Sequence, residues 1–189
     1  MTRPDRETIH AALRAKGYTL FESPRGYDLN IVAVRSSEPE PGTFDDWLTV
    51  NWRAGEGWQG LAFPVTTDPG RHWLDHPVHP AGTAVLIPGQ YRSSHRIAKH
   101  KGRYDALCQR PGRALPVWRN GMRHEDGYGL NLHRAAASGT TARVGRWSAG
   151  CTVFANAEDF ALFMGVCRIA ARLWGNAFTY TLLEVGDLS

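Results

Sequence analysis

The chain has 189 residues, of which 42% are hydrophobic and 21% are charged, and its formal net charge is +4. This length suits one domain with a core of its own, and the composition excludes a disordered or low-complexity polymer. No stretch approaches the roughly 20 apolar residues of a membrane helix, so we expect no membrane span. The mild basic charge has no nucleic-acid-binding motif beside it, so we expect no nucleic-acid partner.

The predicted elements begin with a helix at residues 4–16, which Pro4 opens and Gly17 ends. A second helix begins after Asn156, a residue type that caps helix starts, and ends at Gly175. The apolar and polar residues alternate as in β-strands in six ranges between the helices and in one range after the second: 27–35, 47–53, 58–66, 82–87, 115–119, 128–133 and 177–185.

Several segments between these elements are rich in turn-forming or polar residues. A Pro- and Gly-rich turn covers residues 36–46. The basic segment 92–103 fits either a solvated loop or the lining of a groove for an anionic ligand. Residues 119–127 form a polar, hairpin-like insertion whose two carboxylates are too few to predict a cation site. The pattern as a whole predicts a single α+β domain over residues 1–189, predominantly β, with one helix near each end.

The three cysteines, Cys108, Cys151 and Cys167, are odd in number and lack CxxC spacing. That count argues against a disulfide framework and against a structural zinc site. Cys167 falls on the apolar side of the second helix and Cys108 in a strand-like stretch, so both are interpreted as core residues. His72, His76 and His79 have spacings that suggest zinc, but nearby prolines should break a helix that aligns them, and we expect no metal or cofactor.

Cys151 has a different setting. A strand ends in His133, a loop rich in Gly, Ser and Thr follows, and the residues Ser148 to Cys151 lead into another apolar run. A nearby imidazole can take the proton of a thiol and so produce the nucleophilic thiolate. The backbone amides of Gly150 and Cys151 are candidates for holding an oxyanion. The spacing alone also fits a buried structural cysteine near a histidine.

His133, Ser148, Gly150 and Cys151 together resemble the motif of the L,D-transpeptidase (YkuD-type) family, in which a strand ends in His and Ser-x-Gly-Cys follows a variable loop. Segments 63–67, 82–84 and 88–91 are similar to the family's upstream blocks, so the resemblance covers about residues 60–155. The chain differs from the family in having Arg134 where Gly is usual, Ala149 where His is usual, and no Arg soon after Cys151.

The resemblance implies an L,D-transpeptidase-like β-sandwich or barrel and an enzyme acting on bacterial peptidoglycan stem peptides. By this resemblance Cys151 attacks the L,D-amide after the third residue, forming a thioester, and His133 transfers the proton. Cleavage or exchange at the L,D-bond is expected to exceed cross-link formation. Substrate-binding candidates are Tyr91, Arg92, His95, Arg134 and Trp147.

The N-terminus lacks the apolar segment of a signal peptide, so we expect synthesis in the cytoplasm. Action in the periplasm or cell wall would then require release or export, as for a phage lysis protein or an exported effector. Two alternatives stay open: a catalytically altered relative that only binds peptidoglycan, and an unrelated cysteine hydrolase. The sequence leaves the oligomeric state undetermined.

Overall fold

The computed structural model describes residues 1–37 and 42–189. The turn predicted at residues 36–46 therefore lies partly outside the described residues. The helices are α1 (Arg6–Ala15), α2 (Arg71–Asp75) and α3 (Ala157–Trp174), and a 3-10 turn covers Val185–Leu188. The strands are β1 (Asn30–Arg35), β2 (Asp46–Ala54), β3 (Gly57–Thr66), β4 (Val85–Leu86), β5 (Gly89–His100), β6 (Tyr104–Gln109), β7 (Leu115–Arg119), β8 (Met122–Gly127), β9 (Leu132–Arg134), β10 (Thr152–Phe154) and β11 (Phe178–Glu184).

Eight strands close into a barrel in the order β1-β11-β5-β6-β9-β10-β3-β2. Two of the barrel's pairings, β1 with β11 and β9 with β10, are parallel, and the others are antiparallel. Strands β4, β7 and β8 form a separate three-stranded sheet. The predicted class, a predominantly β chain with a helix near each end, is confirmed.

The main core joins inward-facing barrel residues to the apolar face of α3, where Phe163 and Cys167 are fully buried. Phe154 of β10 packs on Phe163 with ring centroids 5.0 Å apart. A second cluster lies on the opposite face of β1, where Ile9 and Leu13 of α1 cover it. Helix α3 therefore packs on inward-facing barrel residues, and helix α1 packs on the opposite face of β1.

Local hydrogen bonds explain both main helices. The side chain of Asn156 accepts from the amides of Glu158 and Asp159, and α3 ends at Gly175, as predicted. Helix α1 begins later than predicted, because the carboxylate of Asp5 accepts from the Thr8 amide at 2.8 Å and makes Asp5 the cap. Among the described residues, no helix is both long and apolar enough to cross a membrane.

The basic segment 92–103 is not a solvated loop. Most of it belongs to β5, which pairs with β11 on one side and β6 on the other, so its backbone polar groups are used in the sheet. The polar insertion at 119–127 is a hairpin formed by β7 and β8. The strands predicted at 82–87 and 128–133 are shorter, Val85–Leu86 and Leu132–Arg134.

Candidate active site

The parallel pairing of β9 with β10 brings the cysteine and histidine segments together. Thr152 pairs with Leu132 and Val153 pairs with His133, so Cys151, directly before β10, lies beside Asn131. Leu132 faces the barrel core, and successive strand residues face opposite sides of a sheet. His133 and Cys151 therefore share the outer face of this strand pair.

The Cys151 thiol is half-buried and held by backbone groups. Its Sγ–H donates to the carbonyl of Gly129 at 3.2 Å, and the amide of Asn131 donates to Sγ at 3.4 Å. Burial raises the pKa of Cys151 to about 11, although the Asn131 amide and the positive charge of Lys101 act in the opposite direction. At neutral pH the resting thiol is therefore protonated and needs a base to become a nucleophile.

His133 has the protonation state of a base. Its Nδ1 lies 2.8 Å from the carbonyl oxygen of Arg134, which can only accept, so Nδ1 carries the proton and Nε2 has the free lone pair. Burial lowers the pKa of His133 to about 4, and this effect exceeds that of the Arg134 carbonyl, which raises the pKa. The imidazole is neutral at neutral pH and can accept a proton at Nε2.

Ser148 and Gly150 shape the loop that carries the thiol. The hydroxyl of Ser148 donates to the Cys151 carbonyl at 2.8 Å and accepts from the Gly150 amide at 3.2 Å. Gly150 has φ +114°, and a Cβ there would lie 2.3 Å from the carbonyl oxygen of Ala84. Contrary to expectation, the Gly150 amide is already used by Ser148. The Cys151 amide has no acceptor among the described residues and is the remaining oxyanion candidate.

A pocket of about 370 Å³ lies beside His133 and includes Arg134 and Trp147 in its wall. Arg134 stacks over the ring of Tyr104 at 4.5 Å, and the indole of Trp147 is 47% exposed. The lining contains no acidic residue. Four cations line the pocket and belong to no ion pair within the described ranges: Lys101, Arg103, Arg134 and Arg146.

A second cavity, of about 280 Å³, includes Ala149 and Ala84 in its wall. Trp147 belongs to the first pocket and Ala149 to the second, so the segment that leads to Cys151 runs between the two cavities. Ala149 occupies the position where the resembled family usually has His. Ala149 therefore contributes no imidazole to the wall of this cavity.

Tyr91, Arg92 and His95 do not line the pocket beside His133. Tyr91 donates its hydroxyl to the Ile87 carbonyl, and Arg92 stacks over Phe21 at 5.1 Å. His95 is 1% exposed, and its two nitrogens contact Ser94 Oγ and the Leu130 carbonyl, each at 2.8 Å. The structure thus places His95 in the interior, because β5 turns this side chain inward.

Two further residues belong to the site. The ring of His100 stacks on His133 with centroids 4.2 Å apart and an interplanar angle of 24°. The side-chain amide of Asn131 lies 3.2 Å from Nδ1 of His100. No sequence pattern singled out Asn131, and His100 lies within the basic segment 92–103. The one sequence signal for Asn131 is its position two residues before His133.

The histidines with zinc-like spacing do not form a metal cluster. The rings of His72 and His76 lie together, with centroids 4.9 Å apart. Pro77 does not prevent this, because helix α2 forms over Arg71–Asp75 and ends before the proline. His79 instead accepts from the Ala81 amide. In residues 1–37 and 42–189, no group of three or more His, Cys, Asp or Glu side chains is arranged to hold a metal ion.

Comparison of this chain with known proteins finds no matching family model, no matching curated protein and no matching solved structure. The likeness to L,D-transpeptidases therefore rests on the motif at His133, Ser148, Gly150 and Cys151 and on the upstream segments.

Proposed function

We propose that this protein is a cysteine-dependent enzyme of the L,D-transpeptidase type, which acts on the L,D-amide of peptidoglycan stem peptides through a thioester. The observation that carries the proposal is the parallel pairing of β9 and β10, which sets Cys151 and His133 on one face of neighbouring strands. A protonated thiol and a neutral imidazole with a free Nε2, on the same face of neighbouring strands, are the groups that general-base catalysis requires.

The chemistry follows from those protonation states. Nε2 of His133 takes the proton from Sγ as Sγ bonds to the substrate carbonyl carbon, and the carbonyl oxygen becomes an oxyanion near the Cys151 amide. Collapse of this intermediate breaks the C–N bond, and the proton passes from His133 to the leaving amine. The product is a thioester on Cys151. Water or a second amine then attacks the thioester, with His133 again taking and returning the proton.

The charge of the pocket supports an anionic substrate. Lys101, Arg103 and Arg146 line it without an acidic neighbour in the lining, and stem peptides carry free carboxylates. The interaction between a carboxylate and a guanidinium or ammonium group is most favourable when neither group already has an ion-pair partner. The exposed face of Trp147 adds an apolar wall against which the peptide backbone can lie.

The fate of the thioester is proposed to be hydrolysis or exchange more than cross-linking. Arg134 stands where the family has Gly, and its guanidinium is committed to the Tyr104 ring and the Ala137 carbonyl. Thr152 and Val153, which follow the nucleophile, are buried in β10 and offer no cation to hold an acceptor strand. Water or a free amino acid has a weaker geometric demand than a second stem peptide.

Incubation with disaccharide-tetrapeptide, followed by mass analysis, tests this function. Cys151→Ala should abolish all change in the muropeptide, and Cys108→Ala, as a matched control, should leave the product pattern unchanged. The expected products are tripeptide or an exchanged terminal residue. A dominant dimer linked through two third-position residues would contradict the hydrolytic preference. Binding without turnover by both the parent and Cys151→Ala would favour the alternative of a peptidoglycan-binding protein.

A further inference from the structure

We propose that His100 and Asn131 are positioning residues: together they hold the Cys151 thiol and the His133 imidazole in place relative to each other. This inference rests on the proposed function, because it assigns these two residues a role in preparing that pair. Asn131 contacts the thiol directly through its backbone amide, whereas His100 contacts the base through its ring.

Asn131 is held at all four of its polar groups. Its Oδ1 accepts from the Gln109 amide at 2.8 Å, and its carbonyl accepts from the Thr152 amide at 3.0 Å. Its backbone amide donates to Sγ of Cys151, and its Nδ2 donates towards His100. Because the Gln109 amide can only donate, it fixes which end of the Asn131 side chain faces His100.

The orientation of Asn131 determines the tautomer of His100. Nδ2 of Asn131 is a donor, so Nδ1 of His100 accepts and the proton of the neutral ring is on Nε2. Protonation at Nδ1 would set two donors against each other. Burial lowers the pKa of His100, and the charge of Lys101 lowers it further. His100 is therefore kept as a neutral ring.

A neutral ring at that place matters for His133, which becomes an imidazolium during catalysis. Two imidazolium rings stacked at 4.2 Å would repel each other, so protonation of both rings at once is unfavourable. Because His100 stays neutral, His133 can take up the proton without this repulsion. The stack also restricts the ring of His133, whose Nδ1 is fixed on the Arg134 carbonyl. The ring stack and the backbone hydrogen bond thus leave His133 Nε2 as the free proton acceptor.

His100 lies at the end of β5, next to a tight hairpin turn. The Arg103 amide donates to the His100 carbonyl at 3.0 Å, which closes the turn through Lys101 and Gly102. Lys101 has φ +48° and Gly102 has φ +71°, as a tight turn between antiparallel strands requires. The turn sets both His100 and the Lys101 ammonium over the pocket.

Alkylation of Cys151 by iodoacetamide, read by peptide mass from about pH 5 to about pH 9, tests this inference without any need for substrate turnover. His100→Phe keeps a ring against His133 but has no acceptor for Asn131. We expect it to slow alkylation at neutral pH roughly fivefold, the value of one hydrogen bond. If His100 served only as packing, His100→Phe would match the parent, and that result would overturn the inference.

The pH profile gives a second readout. As the pH falls, the stacked rings compete for a proton, so His100→Phe should move the acidic edge of the profile to higher pH. In a His133→Ala background, His100→Phe should no longer move the acidic edge, because that shift comes from the pKa of His133. An equal shift of the edge in both backgrounds would contradict action through His133. The other titratable or charged groups of the pocket beside His133 are common to these variants: Lys101, Arg103, Tyr104, Arg134 and Arg146. Cys151, on the neighbouring strand, is also unchanged in them.

Asn131→Asp provides an independent variant of nearly the same shape. It removes the donor to His100 and sets a carboxylate oxygen against Nδ1 of His100, so alkylation should again slow. Asn156→Asp, at the cap of α3, should not change it. Unchanged alkylation in folded Asn131→Asp would also overturn the inference. Alkylation that depends on His100 in a protein without muropeptide turnover would refute the proposed function and leave the positioning role standing.

Discussion

Gly150→Ala is the substitution that tests most directly whether the cysteine loop is fixed against the rest of the molecule. Gly150 has φ +114°, and an added Cβ would lie 2.3 Å from the Ala84 carbonyl oxygen and 3.2 Å from a methyl of Leu130. The Ala84 oxygen belongs to the backbone just before β4, so it cannot move aside as a flexible side chain could. The loop that carries Cys151 would have to shift instead.

The size of the effect can be worked out against a matched control. Gly139 also has a positive φ, +66°, but an added Cβ there meets nothing within 4 Å. Gly139→Ala should therefore lower the free energy of unfolding by about 1 to 2 kcal/mol, the cost of a left-handed alanine. Gly150→Ala adds the steric conflict to a less favourable φ, and we expect a loss of roughly 3 to 4 kcal/mol.

Urea unfolding followed by tryptophan fluorescence measures both losses, and alkylation of Cys151 measures the shift of the thiol. Gly150→Ala should show a lower midpoint and slower alkylation at Cys151, while Gly139→Ala should keep the parent's alkylation rate. Equal destabilisation of the two variants, with unchanged alkylation in both, would refute the argument that the Ala84 backbone fixes this loop.

Three further predictions concern the buried cysteine and the histidines. Cys167→Ala should lower the free energy of unfolding by about 1 to 2 kcal/mol through a small cavity without changing Cys151 chemistry, and urea unfolding with muropeptide mass analysis checks both. His133→Ala should slow turnover steeply with partial recovery at high pH, since the thiol then ionises unaided; a parent-like pH–rate profile would remove His133 from the mechanism. Burial lowers the pKa of His95 and His133 from 6.5 to about 4, so between these values the unfolded chain binds protons that the folded chain does not. Stability is therefore full above about pH 6.5 and falls towards pH 4, by about 3 kcal/mol per histidine. His133→Gln should make the fall in urea-unfolding free energy shallower, and an identical pH dependence would contradict the assignment.

The sequence predicted well those features that depend on interactions between residues close together in the chain. The cap, the apolar stripe and the terminal glycine of α3 all act within a few residues of one another, and the helix begins and ends where predicted. The alternating, β-rich pattern likewise predicted the class and most strands. The motif identified Cys151 and His133 as candidates, because their residue types and chain order are readable without coordinates.

Only the tertiary structure decided which residues surround that pair. The sequence of β5 is polar enough to resemble a loop. It is a strand because it pairs with β11, which is distant in the chain, and with β6, which follows after a tight turn. The same pairing turns His95 inward and carries His100 onto His133. Register and barrel closure depend on contacts between distant segments, and sequence periodicity carries no information about which strands become neighbours.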